Sequence, residues 1–333
     1  MGAVLSSRNY DEATWQCILQ RTDGNVVTTK TTCRIAGDVD QLSRVQLDEV
    51  IRGLETHGPK NSVDFVAAAG SDFLKASSAL PSSPERLALL LSRLLDGECD
   101  VLVLDATSLP SRLPTGLTIG ALTRRITAMD ALVSTNDAIL DELGDNAMLA
   151  TCSLRREAQL RYYRPDLRIV RTQGSIDSLL QKVKGGSVDC AVIAAADMER
   201  LKKQEYVAEL LTNSVCVPAA GQGALAVLIR SSDEQFRDVV QCINDPATHA
   251  MLRAEWSFLE HVGVDSSAPV AVLASIEGKA IELEGMVAFP DGSEKIQCMV
   301  KGAMGHEEDL GSTLAKEILD AGGREVVEEF RLA

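Results

Sequence analysis

No stretch of this 333-residue chain approaches the roughly 18 consecutive apolar residues that a transmembrane helix needs, so no membrane span is expected. Histidine is scarce, with four in all, and no two of the eight cysteines form a CxxC pair. Zinc is therefore not expected. The cysteines (Cys17, Cys33, Cys99, Cys152, Cys190, Cys216, Cys242 and Cys298) are scattered, several in apolar strand-like runs. They read as buried free thiols in a reducing, cytoplasmic compartment. Positive charge is also in short supply. With 33 bases against 48 acids the net charge is −15, which excludes general binding to nucleic acid or to an anionic membrane surface. The opening MGAVLSS lacks the basic flank and apolar core of a secretory signal. It matches the loose myristoylation pattern through Gly2 and Ser6, and the same residues also read as a first strand.

Apolar residues make up 45% and charged residues 24%, the balance of a globular protein. The length fits two or three domains, each able to bury a core without a disulfide or metal staple. GAVLSS, NVVTTKTTC, DFVAAA and DVLVLD read as strands, with helices over 41–56 and 84–95. The middle alternates more clearly. NAMLAT, LRIVR and VDCAVIAAA read as strands, with helices over 153–163 and 175–184 between them. Such alternation with short links signals a doubly wound α/β sheet, which binds ligands beyond the carboxyl ends of its strands. The last hundred residues predict a helix over 248–260, strands over 270–276, 281–288 and 295–300, and helices over 309–321 and 325–330. That is a small α+β domain with an antiparallel meander.

Residues 151–203 hold eleven bases against six acids, so this segment is +5 and the remainder −20. A basic island suggests a local anion site. Ser153-Leu-Arg155-Arg156 opens a predicted helix, whose N-terminus already carries partial positive charge. Two arginines there are unfavourable unless an anion lies between them, so the turn reads as a cradle for carboxylate or phosphate, or else as two solvated side chains. Thr172-Gln-Gly174-Ser175 makes a second turn of this kind, and Gly221-Gln222-Gly223 a third backbone-rich loop.

Five stretches occur together and in order: LPTGLTIGALTRR, MDALVS, ATCSLRREAQL, RTQGS and AAGQGALAVLIR. With them the chain resembles the porphobilinogen deaminase family, also called hydroxymethylbilane synthases. The likeness runs over almost the whole chain, strongest from about 101 to 230 and thin before 100. It implies two doubly wound lobes of the periplasmic-binding-protein kind plus a small α+β domain. The expected division is 1–112 with 215–232, then 113–214, then 233–333. It also implies stepwise condensation of four porphobilinogens on a dipyrromethane primer held by a cysteine thioether. One aspartate handles protons, and basic residues bind acetate and propionate groups.

Residue by residue, the resemblance is incomplete. The family's cofactor cysteine falls at Ser266, behind Asp265 where glycine is usual. A serine hydroxyl is far less ionised than a thiol and makes a poor thioether substitute. The family's His-Ser-x-Lys-Asp-x-Pro run reads Leu104-Asp105-Ala106-Thr107-Ser108-Leu109-Pro110, which puts Ser108 at the catalytic aspartate. Serine at its ordinary pKa cannot relay that proton. Asp105 is a weak substitute, since strand alternation aims it at the opposite face. The family's Arg-Gly-Asn turn has become Gln173-Gly174-Ser175, with Leu179 at a further arginine position and Ser83 and Ala88 at two lid lysines. The resemblance leaves Arg8, Thr151, Ser153, Arg155, Arg156, Gly174 and Ser175 for cofactor binding, and Arg125, Arg155, Arg156 and Gln222 for substrate.

The expected function is accordingly a hydroxymethylbilane synthase-like protein of tetrapyrrole biosynthesis, degenerate in its chemistry, with an anionic pyrrole as ligand and no covalent dipyrromethane. Two alternatives stand beside it. One is an active transferase with altered residues, and the other a two-lobed small-anion-binding regulatory module. Pairing with an active paralogue is a further expectation.

Overall fold

The computed structural model describes residues 31–38, 40–58, 63–67, 84–110, 112–264 and 267–332. Gly2, Arg8, Ser83, Asp265 and Ser266 lie outside them. In chain order the first lobe begins with β1 (Thr31–Ala36), α1 (Gln41–His57), β2 (Val63–Ala67), α2 (Pro84–Leu95), β3 (Val101–Asp105) and β4 (Leu117–Leu122). The second holds β5 (Asp130–Ser134), β6 (Met148–Thr151), α3 (Leu154–Tyr163), β7 (Arg168–Arg171), α4 (Ile176–Lys184), β8 (Cys190–Ala194), α5 (Ala195–Arg200) and β9 (Glu209–Leu211). The chain then returns with β10 (Leu225–Arg230) and α6 (Glu234–Val240). It ends with α7 (Pro246–Val262), the strands β11 (Val270–Glu277), β12 (Ala280–Ala288) and β13 (Lys295–Ala303), then α8 (Glu307–Ile318) and α9 (Arg324–Leu332).

The first sheet runs β2-β1-β3-β10-β4 and the second β7-β6-β8-β5-β9. Both are mixed. β10 is antiparallel to β3 and β4, and β5 is antiparallel to β8 and β9. The expected crossing at 113 moves: β4 completes the first sheet, so the chain leaves the first lobe between Leu122 and Asp130. It comes back between Leu211 and Leu225.

Alternation in β3 explains the layering. Val101 and Val103 pack on Val50 and Leu54 of α1 and Val239 and Val240 of α6. Leu102 and Leu104 pack on Leu90, Leu91 and Leu94 of α2. The second sheet is covered likewise. Leu149 and Val192 face Leu160 of α3, and Ala150 and Ile193 face Leu180 and Val183 of α4. In the third domain β11-β12-β13 is the expected meander, with Phe258 of α7 and Leu314 of α8 buried against it.

Caps place the helix starts that matter. Asp40 accepts from Ser43 N at α1, Ser153 from Arg156 N at α3, and Ser175 from Ser178 N at α4. We expect Ser153→Ala to lower stability by about 1 kcal/mol, measured by urea denaturation, because it removes the acceptor from an otherwise orphaned N–H. No helix among the described residues is long and apolar enough to cross a membrane.

Candidate functional site

A cleft of about 730 Å³ opens between the two lobes, where the carboxyl ends of β3 and β6 and the start of α5 face one another. Its wall includes Asp40, Asp105, Ser108, Ser153, Arg155, Arg156, Asp197 and Gln222. Sequence reasoning placed most of these at strand ends. It placed Asp197 at such an end without giving it a role, and it did not single out Asp40.

Asp105 lies in the cleft wall with Ser108, which corrects the expectation that it faces away. β3 ends with Asp105 and Ser108 lies in the 3₁₀ turn beyond it, so strand alternation does not relate the two. Asp105 Oδ1 accepts from Thr107 N (2.9 Å) and Thr107 Oγ1 (2.6 Å), capping the 3₁₀ turn Ala106–Ser108 that carries Ser108. Gln46 Nε2 approaches its Oδ2 at 3.4 Å. Burial pushes the Asp105 carboxyl above the ordinary range, against the bonds from Thr107.

The anion between Arg155 and Arg156 proves to be part of the protein. Asp130, fully buried at the start of β5, takes Arg155 Nη1 at 2.8 Å and Arg156 Nη2 at 2.7 Å. Gln222 donates to Asp130 Oδ1 at 3.0 Å and accepts from Arg155 Nη2 at 3.3 Å. Cys216 Sγ donates to Asp130 Oδ2 at 3.3 Å. Burial works against the Asp130 charge, yet the two guanidiniums outweigh it and hold the carboxyl well below the usual range. Burial, aided by Asp130, pushes the Cys216 thiol up to about 12, so it is a structural and not a reactive sulfur. The cradle expected to be free for a ligand is thus partly filled from within, one carboxylate standing against two guanidiniums. A lone acid in the apolar strand ALVS was the available signal for this, because a buried carboxylate requires a cation.

The remaining excess of bases in 151–203 is largely matched too. Arg161 and Arg171 share Glu157, Arg164 holds Asp166, and Lys203 meets Asp177. Arg125, expected at the substrate, instead forms a two-pronged pair with fully buried Glu255 of α7, both bonds 2.8 Å, and lies outside the cleft wall. The residues after β4 run against α7, so its guanidinium faces the third domain. Thr151 is buried and accepts from Ser153 N at 3.2 Å. Gly174 and Ser175 build the turn before α4 and also lie outside the cleft wall. Ala88 is exposed on α2, and Leu179 packs in the second lobe. Gly223 has φ +86°, and a Cβ there would lie 1.9 Å from Thr127 O, so glycine is required for the loop that inserts Gln222.

Asp197 enters the cleft from α5. Burial and then the nearby Asp105 raise its carboxyl to about 7. Arg200, its side chain 2% exposed, crosses between the lobes to Glu49 Oε2 of α1 at 3.0 Å and to Gly223 O at 3.2 Å. Its Nη1 stands 3.8 Å from Asp197 Oδ1.

Residues 33–238 match the family model described as porphobilinogen deaminase, dipyromethane cofactor binding domain, and residues 250–320 match porphobilinogen deaminase, C-terminal domain. The porphobilinogen deaminase of Moorella thermoacetica is 35% identical over 90% of this chain and 96% of its own length. That of Pelotomaculum thermopropionicum is 36% identical over 73% of this chain and 78% of its own. A TRAP periplasmic solute binding protein from Desulfovibrio salexigens superimposes with a TM-score of 0.42 at 11% identity, covering 66% of this chain and 73% of its own. Two family models in series, spanning both lobes and the third domain, and a relative matched over 96% of its length place the chain in the porphobilinogen deaminase family.

Proposed function

We propose that this chain is a hydroxymethylbilane synthase-like protein that keeps the family's two-lobed cleft but does not build a tetrapyrrole on a covalently held dipyrromethane. The observation that carries this reading is Ser108. It stands in the cleft wall at the position of the family's aspartate, and a neutral hydroxyl there cannot hold or relay a proton at a pyrrole nitrogen. Ser266 at the cofactor cysteine points the same way.

The donor set of the described cleft also fits an anionic dipyrromethane poorly. Arg155 and Arg156 share the single carboxylate of Asp130, and Arg86 pairs with Asp38, while Asp40, Asp105 and Asp197 bring carboxyl groups rather than cations to the same wall. Carboxylates approaching that wall lose hydration and find only the one positive charge that Asp130 leaves over on the arginine pair. Intact-mass spectrometry of the purified protein is expected to return the mass of the bare polypeptide, and a pyrrole reagent no colour. A mass increased by one dipyrromethane overturns the reading.

One observation favours a second reading, in which the chain is an active transferase with altered residues. Asp105 shares the cleft wall with Ser108 and has an elevated proton affinity. On that reading porphobilinogen is consumed, and Asp105→Ala abolishes the consumption. No turnover at millimolar substrate excludes it.

A further inference from the structure

We propose that Arg200 is a two-position latch on this cleft: it holds the lobes shut through Glu49 of the first lobe and, when they part, turns to Asp197 on its own helix. The latch rests on the reading of this cleft as a binding site and regulates access to it. It is independent of whether a dipyrromethane is carried, which the intact mass decides separately.

Arg200 and Asp197 both lie on α5 of the second lobe, one helical turn apart, so no movement of the lobes separates them. Glu49 lies on α1 of the first lobe, and its Oε2 accepts from Arg200 Nε at 3.0 Å only while α1 and α5 stay together. The third contact is Gly223 O, which accepts from Arg200 Nη2 at 3.2 Å. That carbonyl belongs to the segment returning to β10, and it also accepts from Ile126 N, at 3.2 Å, in the segment leaving β4. The two crossings between the lobes therefore meet at the carbonyl on which Arg200 rests. A guanidinium seated there pivots at the hinge of the cleft, with one acid of each lobe beside it.

The bonds that Arg200 makes, and the one it lacks, allow it to move. The guanidinium is planar, and its contacts with Glu49 and Gly223 fix two of its three nitrogens. The third, Nη1, is buried and has no hydrogen-bond acceptor, stopping 3.8 Å from Asp197 Oδ1. A buried donor left unpaired is destabilising, so the shut arrangement carries a defect that the parted one removes. Once Glu49 moves off with α1, Nη1 closes on Asp197, and an ion pair between the lobes becomes one within α5. Glu49, already 31% exposed, is then hydrated. Arg156, the other cation acting on Asp197, is held by Asp130 at 2.7 Å, so Arg200 is the group that changes partner. Each arrangement keeps one such pair, and a ligand that touches both walls of the cleft is enough to choose between them.

Double electron–electron resonance between nitroxide labels on the two lobes tests this on the full chain. It is run at about pH 8, where Asp197, raised to about 7, is ionised. The labels are carried on p-acetylphenylalanine at exposed Ser92 of α2 and exposed Gln181 of α4, which leaves the native cysteines unaltered. Glu49→Gln is expected to raise the ratio of the long-distance to the short-distance population by about fivefold or more. Adding Asp197→Asn to Glu49→Gln is expected to lower that ratio again by a similar factor, because the parted arrangement then lacks its charged partner. A static ion pair gives the first shift without the second. Both substitutions preserve shape, and Asp197→Ser takes the place of Asp197→Asn if that variant folds poorly. An unchanged ratio in Glu49→Gln, or a ratio that the second substitution leaves unchanged or raises further, overturns the latch.

Discussion

Asp130→Asn is expected to destabilise the protein by roughly 3–5 kcal/mol in urea denaturation, because it leaves buried Arg155 and partly buried Arg156 without their counter-charge. Asparagine keeps the shape and can still accept one or two of the N–H bonds from Arg155, Arg156 and Gln222. It brings no charge to set against the two guanidiniums, the first 4% and the second 15% exposed. The pH dependence has a defined sign. The Asp130 carboxyl is held below its ordinary value in the folded state. Its stabilisation is therefore fully present above a pH of about 4 and is lost as pH falls toward the folded-state value. Unaltered protein should lose this contribution in acid, whereas the variant should lack that part of the slope. Equal stability of the two proteins at neutral pH would show that Asp130 is not the anion of the arginine pair.

The other large effect is expected from Glu255→Ala. Glu255 takes both guanidinium prongs of Arg125 and also accepts from two backbone N–H groups, Gly221 (2.7 Å) and Ala274 (2.8 Å). One side chain thus joins the crossing segment after β4, the glycine loop before β10 and the edge of β11. Removing it leaves a buried cation and two buried donors unsatisfied, a loss of about 4 kcal/mol or more. The third domain should also become separately sensitive to proteolysis, since the same residue ties it to the lobes. Glu255→Gln, which retains one acceptor oxygen, should fall between the two. A cooperative unfolding curve unchanged by Glu255→Ala would refute this role.

Much of the fold was readable because its signals are local. The apolar spacing in 84–95, the serine caps at 153 and 175 and the glycines after 184 each fix an element within a few residues. The placement of β4 and the antiparallel β10 was not readable in this way. LTIGAL and LAVLIR are both apolar strands, and nothing local says which sheet they enter or in which direction. The site divides similarly. Ser108, Ser153 and the arginines lie at strand ends, where an α/β sheet binds its ligands. The partners that change their meaning come from distant parts of the chain: Asp130 under Arg155 and Arg156, Glu255 under Arg125, and Asp197 across from Asp105. Charge segregation along the sequence suggested a free anion site, and pairing in space neutralised part of it. The face of Asp105 was misread because alternation was extended past the last strand residue, where side-chain capping takes over.

The position of β10 has a consequence for the newly made chain. It fills the slot between β3 and β4 and is the only strand either has on that side among the described residues. As the polypeptide leaves the ribosome, β3 and β4 emerge more than a hundred residues ahead of Leu225. Throughout that interval both present an open apolar edge, the kind that recruits a strand from another molecule. The second lobe, whose strands lie between β4 and β10, can complete its sheet first. The N-terminal lobe of this protein is therefore the later of the two to close, and a premature stop between residues 123 and 225 releases a fragment whose first sheet is still split in two.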